Sequence, residues 1–196
     1  MPSKTPTKTE AEGARLDASN WTTAALAVLA LQGIDGVRVE VLAKTLGVTK
    51  GSFYWHFKDR DALYAMMLAD WRKRATIELI ERLNRGLDTA EARLRRLLRL
   101  PIVGRRSAFA ADVELAIRLW GRRDARAQAA LQEVDELRIR HIIGLLEGTG
   151  VVPEESEARA VMAYAYIRVA ATLVPKDRDA LMRQCEDLLI GHPAPE

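Results

Sequence analysis

The chain has 196 residues, 48% of them hydrophobic, and a formal net charge of +3. That length allows one domain or a small domain beside a larger one, and that apolar fraction is ample for a core. The small charge excludes a polybasic, histone-like protein, and the single Cys185 excludes an internal disulfide or a cysteine zinc site.

Residues 1–60 hold 8 Lys+Arg against 6 Asp+Glu, and the remainder 22 against 21. Affinity for a polyanion must therefore come from locally placed cations, not from a gross field. Cys185 reads as a small buried hydrophobe in a reducing cytosol. No apolar run reaches the ~20 residues that span a bilayer. The polar start, with its Pro and Lys residues, is no signal peptide. A cytoplasmic protein without a membrane partner is expected.

Residues 1–18 are rich in Lys, Thr, Pro and Glu and should form a flexible arm. Lys4, Lys8 and Arg15 could brush phosphate there, although a solvated tail accounts for them equally well. Ser19 or Asn20 is placed to cap a first helix over residues 21–32. Residues 24–31 are all apolar, so this helix needs cover on most sides and serves as a core post. Gly33 and Gly36 punctuate its exit.

Val39, Leu42, Ala43 and Leu46 recur at i, i+3, i+4 and i+7, the apolar stripe of a second helix. Gly47 ends it where left-handed backbone is needed. Val48 is an apolar plug, and the Thr49 hydroxyl is placed to cap a third helix of about two turns. A short turn containing glycine between two helices is the pattern of a helix-turn-helix. From Thr49 to Phe57 the chain carries Lys50, Ser52, Tyr54, Trp55 and His56 beside only two core candidates, Phe53 and Phe57. Packing has no use for so many donors and flat rings, whereas contact with phosphates and base edges does. Gly51 suits that contact because a missing side chain lets backbone approach another molecule. Lys50 and Trp55 are the candidates for base contact, Trp55 against thymine methyl groups. Asp59 is placed to cap a fourth helix, with Asp61 favoured in its first turn. Through Leu63, Met67, Trp71, Ile80 and Leu83 that helix would continue to about residue 85, about 26 residues or about 39 Å. It is expected to be a rod joining the small domain to the rest, ended by Gly86.

Gly33, Ala43, Gly47-Val48-Thr49, Gly51, Tyr54, His56-Phe57, Arg60 and Leu63 together resemble the TetR family of bacterial transcriptional repressors. The resemblance covers about residues 20–71; beyond them the chain is similar only in being helical and of suitable length. It implies that Tyr54 and His56 grip operator phosphates. It also implies that Arg60 keeps the charge that a Lys usually carries at the next helix start. Arg38 stands where the family often has Ser or Thr, within reach of a phosphate. The candidate DNA-binding residues are Arg38, Thr49, Lys50, Gly51, Ser52, Tyr54, Trp55, His56, Lys58 and Arg60.

Thr89 is placed to cap a short helix with Leu94, Leu97 and Leu98 on one face and Arg93, Arg95, Arg96 and Arg99 mainly on the other. A solvated amphipathic face is the preferred reading of those cations over a second DNA patch. Pro101 and Gly104 close it. Another helix is expected over residues 108–120, with Phe109, Val113, Ala116, Ile117 and Trp120 at helical spacing. After Gly121, Asp124 starts a long helix through Leu131, Val134, Leu137, His141, Ile142 and Leu145, stopped by Gly148 and Gly150. His141 reads as a core histidine rather than a sensor. Pro153 with Glu154, Glu155 and Glu157 opens the next helix. From 161 to 174 it is apolar nearly all round apart from Arg168, so one face can meet a second copy. Pro175 ends it. Leu181, Cys185, Leu188 and Leu189 then form a stripe, and the two last helices suggest half of a four-helix dimer bundle.

No His-Glu-x-x-His, phosphate loop or nucleophile elbow appears, and His56, His141 and His192 are dispersed. No catalytic residue, metal or cofactor is expected. The expected fold is all-α: an arm (1–18), a three-helix DNA-binding domain (19–65), a helical ligand-binding and dimerisation domain (66–191) and a tail (192–196). The implied function is a ligand-responsive repressor that binds a near-palindromic operator as a homodimer and is released by a small hydrophobic effector. The alternative is a DNA-binding module without an effector, controlled by a protein partner through the C-terminal bundle. Candidate pocket residues are Trp71, Leu94, Leu98, Phe109, Val113, Trp120, Leu137 and Tyr164. Candidate dimer residues are Val161, Ile167, Leu181, Cys185, Leu188 and Leu189.

Overall fold

The computed structural model describes residues 16–86, 89–100, 105–173 and 179–191, and their regular elements are all helical. Helix α1 (Ala18–Gln32) begins earlier than the sequence suggests, because Asp17, not Ser19 or Asn20, is its cap. The Asn20 N–H donates to Asp17 Oδ1 at 3.0 Å and the Asp17 N–H donates to Asn20 Oδ1 at 2.8 Å, a reciprocal pair that uses two orphan donors. A single turn of 3-10 helix (Ile34–Gly36) leads to α2 (Val39–Leu46). Gly47 closes α2 in left-handed backbone at φ 69°, ψ 30°, and the Val48 N–H returns to the Ala43 carbonyl at 3.0 Å.

Helix α3 (Lys50–Phe53) is one turn long rather than two, and the Thr49 side chain makes no capping bond. The chain continues in a turn to Phe57, whose N–H reaches the Phe53 carbonyl at 3.0 Å. Helix α4 (Arg60–Ala75) starts on Asp59, whose carboxylate accepts from the Ala62 N–H at 2.8 Å. It is not the continuous rod of the sequence reading. Thr76 leaves helical backbone at φ −121°, ψ −81°, and α5 (Ile77–Asn84) begins afresh. The Thr76 hydroxyl donates to the Arg72 carbonyl at 2.7 Å, and the Ala75 carbonyl accepts instead from Arg138 Nε at 3.0 Å. Side-chain competition for backbone groups is what a β-branched hydroxyl residue brings into a helix.

Helix α6 (Ala90–Arg99) is capped by the Thr89 hydroxyl, 3.2 Å from the Ala92 nitrogen. Its cations are not simply a solvated face. Arg95 and Arg99 pair with the fully buried Glu186 of α10 (Asp179–Ile190), and Arg95 also holds Asp187 at 2.7 Å. Helix α7 (Arg105–Gly121) starts three residues before the expected 108. Helices α8 (Ala125–Glu147), capped by Asp124, and α9 (Pro153–Leu173) follow the expected pattern. The expectations for Lys4, Lys8 and Arg15, Pro101 and Gly104, Val174 and Pro175, and the tail with His192 lie outside the described residues.

Two apolar clusters form the interior. One joins α1, α2, Phe53, Phe57 and α4 to Val113, Ile117 and Trp120 of α7 and to the first half of α8. The other joins Leu83, Leu94, Leu97 and Leu98 to Ile142, Leu145 and Leu146 and to Ala160, Ala163 and Ile190. The α4–α5 break lies where the chain passes from the first cluster to the second. None of the described helices is long and apolar enough to cross a membrane.

Candidate nucleic-acid interface and internal cavity

Phe53 and Phe57 anchor the helix-turn-helix from inside. Their rings stack at 5.3 Å, and Phe53 meets Trp21 edge-on at 5.3 Å. With both buried, the intervening side chains are turned out: Trp55 is 87% exposed and Tyr54 63%. Arg38, Thr49, Lys50, Gly51, His56, Lys58 and Arg60 are exposed as well, and only Ser52 is half-buried. Two exposed rings thus stand side by side among these polar groups. Lys50 Nζ lies 2.8 Å from Glu40 Oε1, which ties α3 to α2 and holds the Glu40 carboxyl below its ordinary range, chiefly through that hydrogen bond. Arg60 donates to the Tyr64 hydroxyl, which lies 3.4 Å from the Val37 carbonyl. This sets Arg60 close to the backbone that precedes Arg38. A Cβ built on Gly51 would meet only Thr49 Oγ1, at an ordinary 3.7 Å. The fold therefore does not require glycine there.

A cavity of about 830 Å³ lies alongside the α4–α5 break, lined by residues of both helices. Its wall includes Trp71, Phe109, Val113 and Tyr164 from the sequence candidates, with Leu79, Leu83, Leu97, His141, Ile142, Ile167 and Arg168 besides. The other four candidates stand elsewhere. Leu94 and Leu98 are buried in the second cluster, because α6 gives Leu97 to the cavity. Trp120 packs edge-on against Tyr64 at 5.2 Å. Leu137 is 37% exposed.

The polar part of the wall centres on Glu114, which is 3% exposed. Its Oε1 accepts from Arg118 at 2.9 Å, and its Oε2 lies 2.8 Å from Arg138 and 2.9 Å from Arg168. Burial pushes the Glu114 carboxyl up, but Arg138, Arg168 and Arg118 outweigh it and hold the group below the usual carboxylate range. Arg118 is balanced by Asp135, which also accepts from the Tyr164 hydroxyl at 2.5 Å. Among the described residues, His141 Nε2 is buried without a hydrogen-bond partner, and burial, with Arg93, pushes its pKa down. Sequence spacing could not find this network, because Glu114, Arg118, Asp135, Arg138 and Arg168 read individually as surface charges. Arg168, the one charge in the apolar stretch 161–173 of α9, was the available signal.

Of the dimer candidates, Val161 is 51% and Leu188 76% exposed, whereas Leu181 and Cys185 are half-buried. Ile167 lines the cavity, and Leu189 packs on the second cluster. Met162, at 55%, and Val169, at 45%, extend the exposed apolar face of α9 and were not singled out from sequence.

A helix-turn-helix whose donors and rings face outward, set on an all-helical body with an internal cavity, defines a DNA-binding regulator architecture. Residues 22–67 match the family model of bacterial regulatory proteins, tetR family. The HTH-type transcriptional regulator AcrR of Shigella flexneri is 42% identical over 41 residues, 21% of this chain and 19% of that protein. The chain thus matches about a fifth of that relative's length. A transcriptional regulator of Saccharomonospora viridis in complex with choline is similar in fold (TM-score 0.71, 19% identity, 89% of this chain and 95% of that one). So is FadR of Bacillus subtilis in complex with stearoyl-CoA (TM-score 0.64, 19% identity, 90% and 99%). At such identities these two structures establish the shared fold alone.

Proposed function

We propose that the protein is an effector-controlled transcriptional repressor that binds a near-palindromic operator as a homodimer. Tyr54 and His56 position it on phosphates, with Arg38, Lys58 and Arg60 as further cations. Lys50 and Trp55, beside Gly51, read base edges in the major groove. The observation that carries the effector half of this reading is the hydrogen bond from Arg138 to the Ala75 carbonyl. Arg138 lines the cavity, and Ala75 is the last residue of the helix that begins beside the recognition segment. An occupant of the cavity that moves Arg138 would alter the end of α4, and α4 would carry that change to Arg60. The rod therefore works as α4 alone, levered at Thr76. Two regulators of similar fold, solved in complex with choline and with stearoyl-CoA, support a small-molecule site in this one.

Linkage requires the operator to weaken the effector by the same factor by which the effector weakens the operator, typically ~5–150-fold. The test is selection of bound duplexes from random DNA, followed by ligand titration of the Trp71 fluorescence with and without the selected duplex. Equal ligand affinity in both cases would leave a DNA-binding module governed through its C-terminal helices by another protein.

A further inference from the structure

The charges on the cavity wall do not balance. Arg74, Arg82, Arg138 and Arg168 stand against Glu78 and Glu114, and Arg74 is paired at 2.9 Å with Asp70, so the excess rests on the other three. Within the buried part the imbalance is sharper. Arg118 is satisfied by Asp135 through two bonds of 3.0 and 2.6 Å. Arg138 and Arg168 share one carboxylate oxygen, Glu114 Oε2, and Arg138 also reaches the neutral Tyr164 hydroxyl at 3.2 Å and the Ala75 carbonyl at 3.0 Å. Among the described residues, Arg168 has no other ion-pair partner, and its guanidinium rests over the Tyr164 ring at 6.0 Å. Next to these groups the wall turns apolar, with Trp71, Leu79, Leu83, Phe109, Ile142 and Ile167.

From this geometry we propose that the cavity takes an amphipathic anion, whose carboxylate head is received by Arg168 and Arg138 and whose tail lies along the apolar wall. The proposal rests on the effector reading and names the chemical class of the effector. A neutral head would cover the two guanidinium groups without bringing them a second negative charge, and a cationic head would add charge to an already positive wall. A planar carboxylate matches the donor fork of an arginine, and the bond is charge-assisted. His141 Nε2, buried and without a hydrogen-bond partner among the described residues, is a further donor or acceptor on the same wall. Because Arg138 also holds the Ala75 carbonyl, the same head group would act on the end of α4.

The experiment uses the full chain and three probes with equal tails: decanoate, 1-decanol and decyltrimethylammonium, each below its micellar concentration. Binding is read from tryptophan fluorescence, with and without a duplex selected by the protein from random sequence. Decanoate is expected to bind at least tenfold tighter than the alcohol, with the ammonium probe weakest. In Arg168→Gln that preference should disappear, and in Arg168→Lys part of it should return, while both variants keep their affinity for the duplex. Equal or tighter binding of the alcohol or the ammonium probe overturns the proposal, as does a preference that survives in Arg168→Gln or a failure of all three to bind. If the alcohol binds as well as decanoate and releases the duplex, effector control stands and the anion does not. If decanoate binds with the expected preference but leaves duplex affinity unchanged, the anion site stands and effector control falls.

Discussion

Gly51 separates the demands of folding from those of docking. Nothing in the protein crowds its missing Cβ, and its backbone is helical. Alanine is the better helix former by about 1 kcal/mol, so Gly51→Ala should leave thermal stability equal or slightly higher. A methyl group on a surface that approaches DNA should nevertheless weaken operator binding. Thermal unfolding and a binding titration of the same sample check both halves, and unchanged affinity would remove Gly51 from the interface. Tyr54→Phe should weaken all duplexes alike, whereas Lys50→Ala or Trp55→Ala should change the preferred sequence. Repeating the selection with each variant tells these roles apart. His141 yields a prediction of a different kind. Its folded pKa is depressed by burial, so the unfolded chain binds more protons and stability falls as pH drops below about 6.5. His141→Gln should flatten the unfolding free energy between pH 5 and 7. Further acid loss, from Glu114 and Asp135 in the buried network and from Asp124 and Glu40 nearer the surface, begins as pH falls through the ordinary carboxylate values of 4.5 and 3.8.

Helix order was legible because apolar spacing and caps speak locally. Asp59, Thr89 and Asp124 each accept from a first-turn N–H as their sequence positions suggest. What was hidden depends on partners distant in the chain. The run from Trp71 to Leu83 keeps helical spacing across Thr76, and a single Thr is too weak a local signal to mark the break. It is visible only once Arg138, 63 residues away in sequence, takes the Ala75 carbonyl. The same holds for the cavity: four of its eight candidates line it, and the others differ by the direction in which a helix turns, which spacing alone cannot decide. Burial also ranks the ion pairs that join the helices. Arg72 and Glu133 bridge α4 to α8 with side chains 40% and 54% exposed, so Arg72→Ala should cost under about 1 kcal/mol. Arg138 and Glu114 are 13% and 3% exposed. Arg138→Ala strips a buried carboxylate of one partner and should cost about 3 kcal/mol. Denaturant unfolding of the two variants compares them directly, and equal losses would mean that the buried network contributes no more than a surface pair.

At the scale of the molecule, the question is which surface a second copy covers. Val161, Met162 and Val169 of α9 and Leu188 of α10 leave large apolar side chains in water on the last two helices. An obligate homodimer interface resembles a core cut in half and so needs such surface. Leu189 is a poor probe of it, because it packs within its own chain and a charge there would damage the fold itself. Val161 and Leu188 are exposed in the single chain, so Val161→Glu with Leu188→Glu should leave its helicity and thermal unfolding close to the original at low concentration. In a dimer the same two carboxylates would be buried without partners, which should weaken association by about 3 kcal/mol or more. Sedimentation of the double variant should therefore show monomer where the parent chain shows dimer. Operator affinity should fall with it, because each monomer can engage only one half-site. A double variant that remains dimeric would move the interface away from α9 and α10, and with it the geometry that sets the spacing of the two recognition segments.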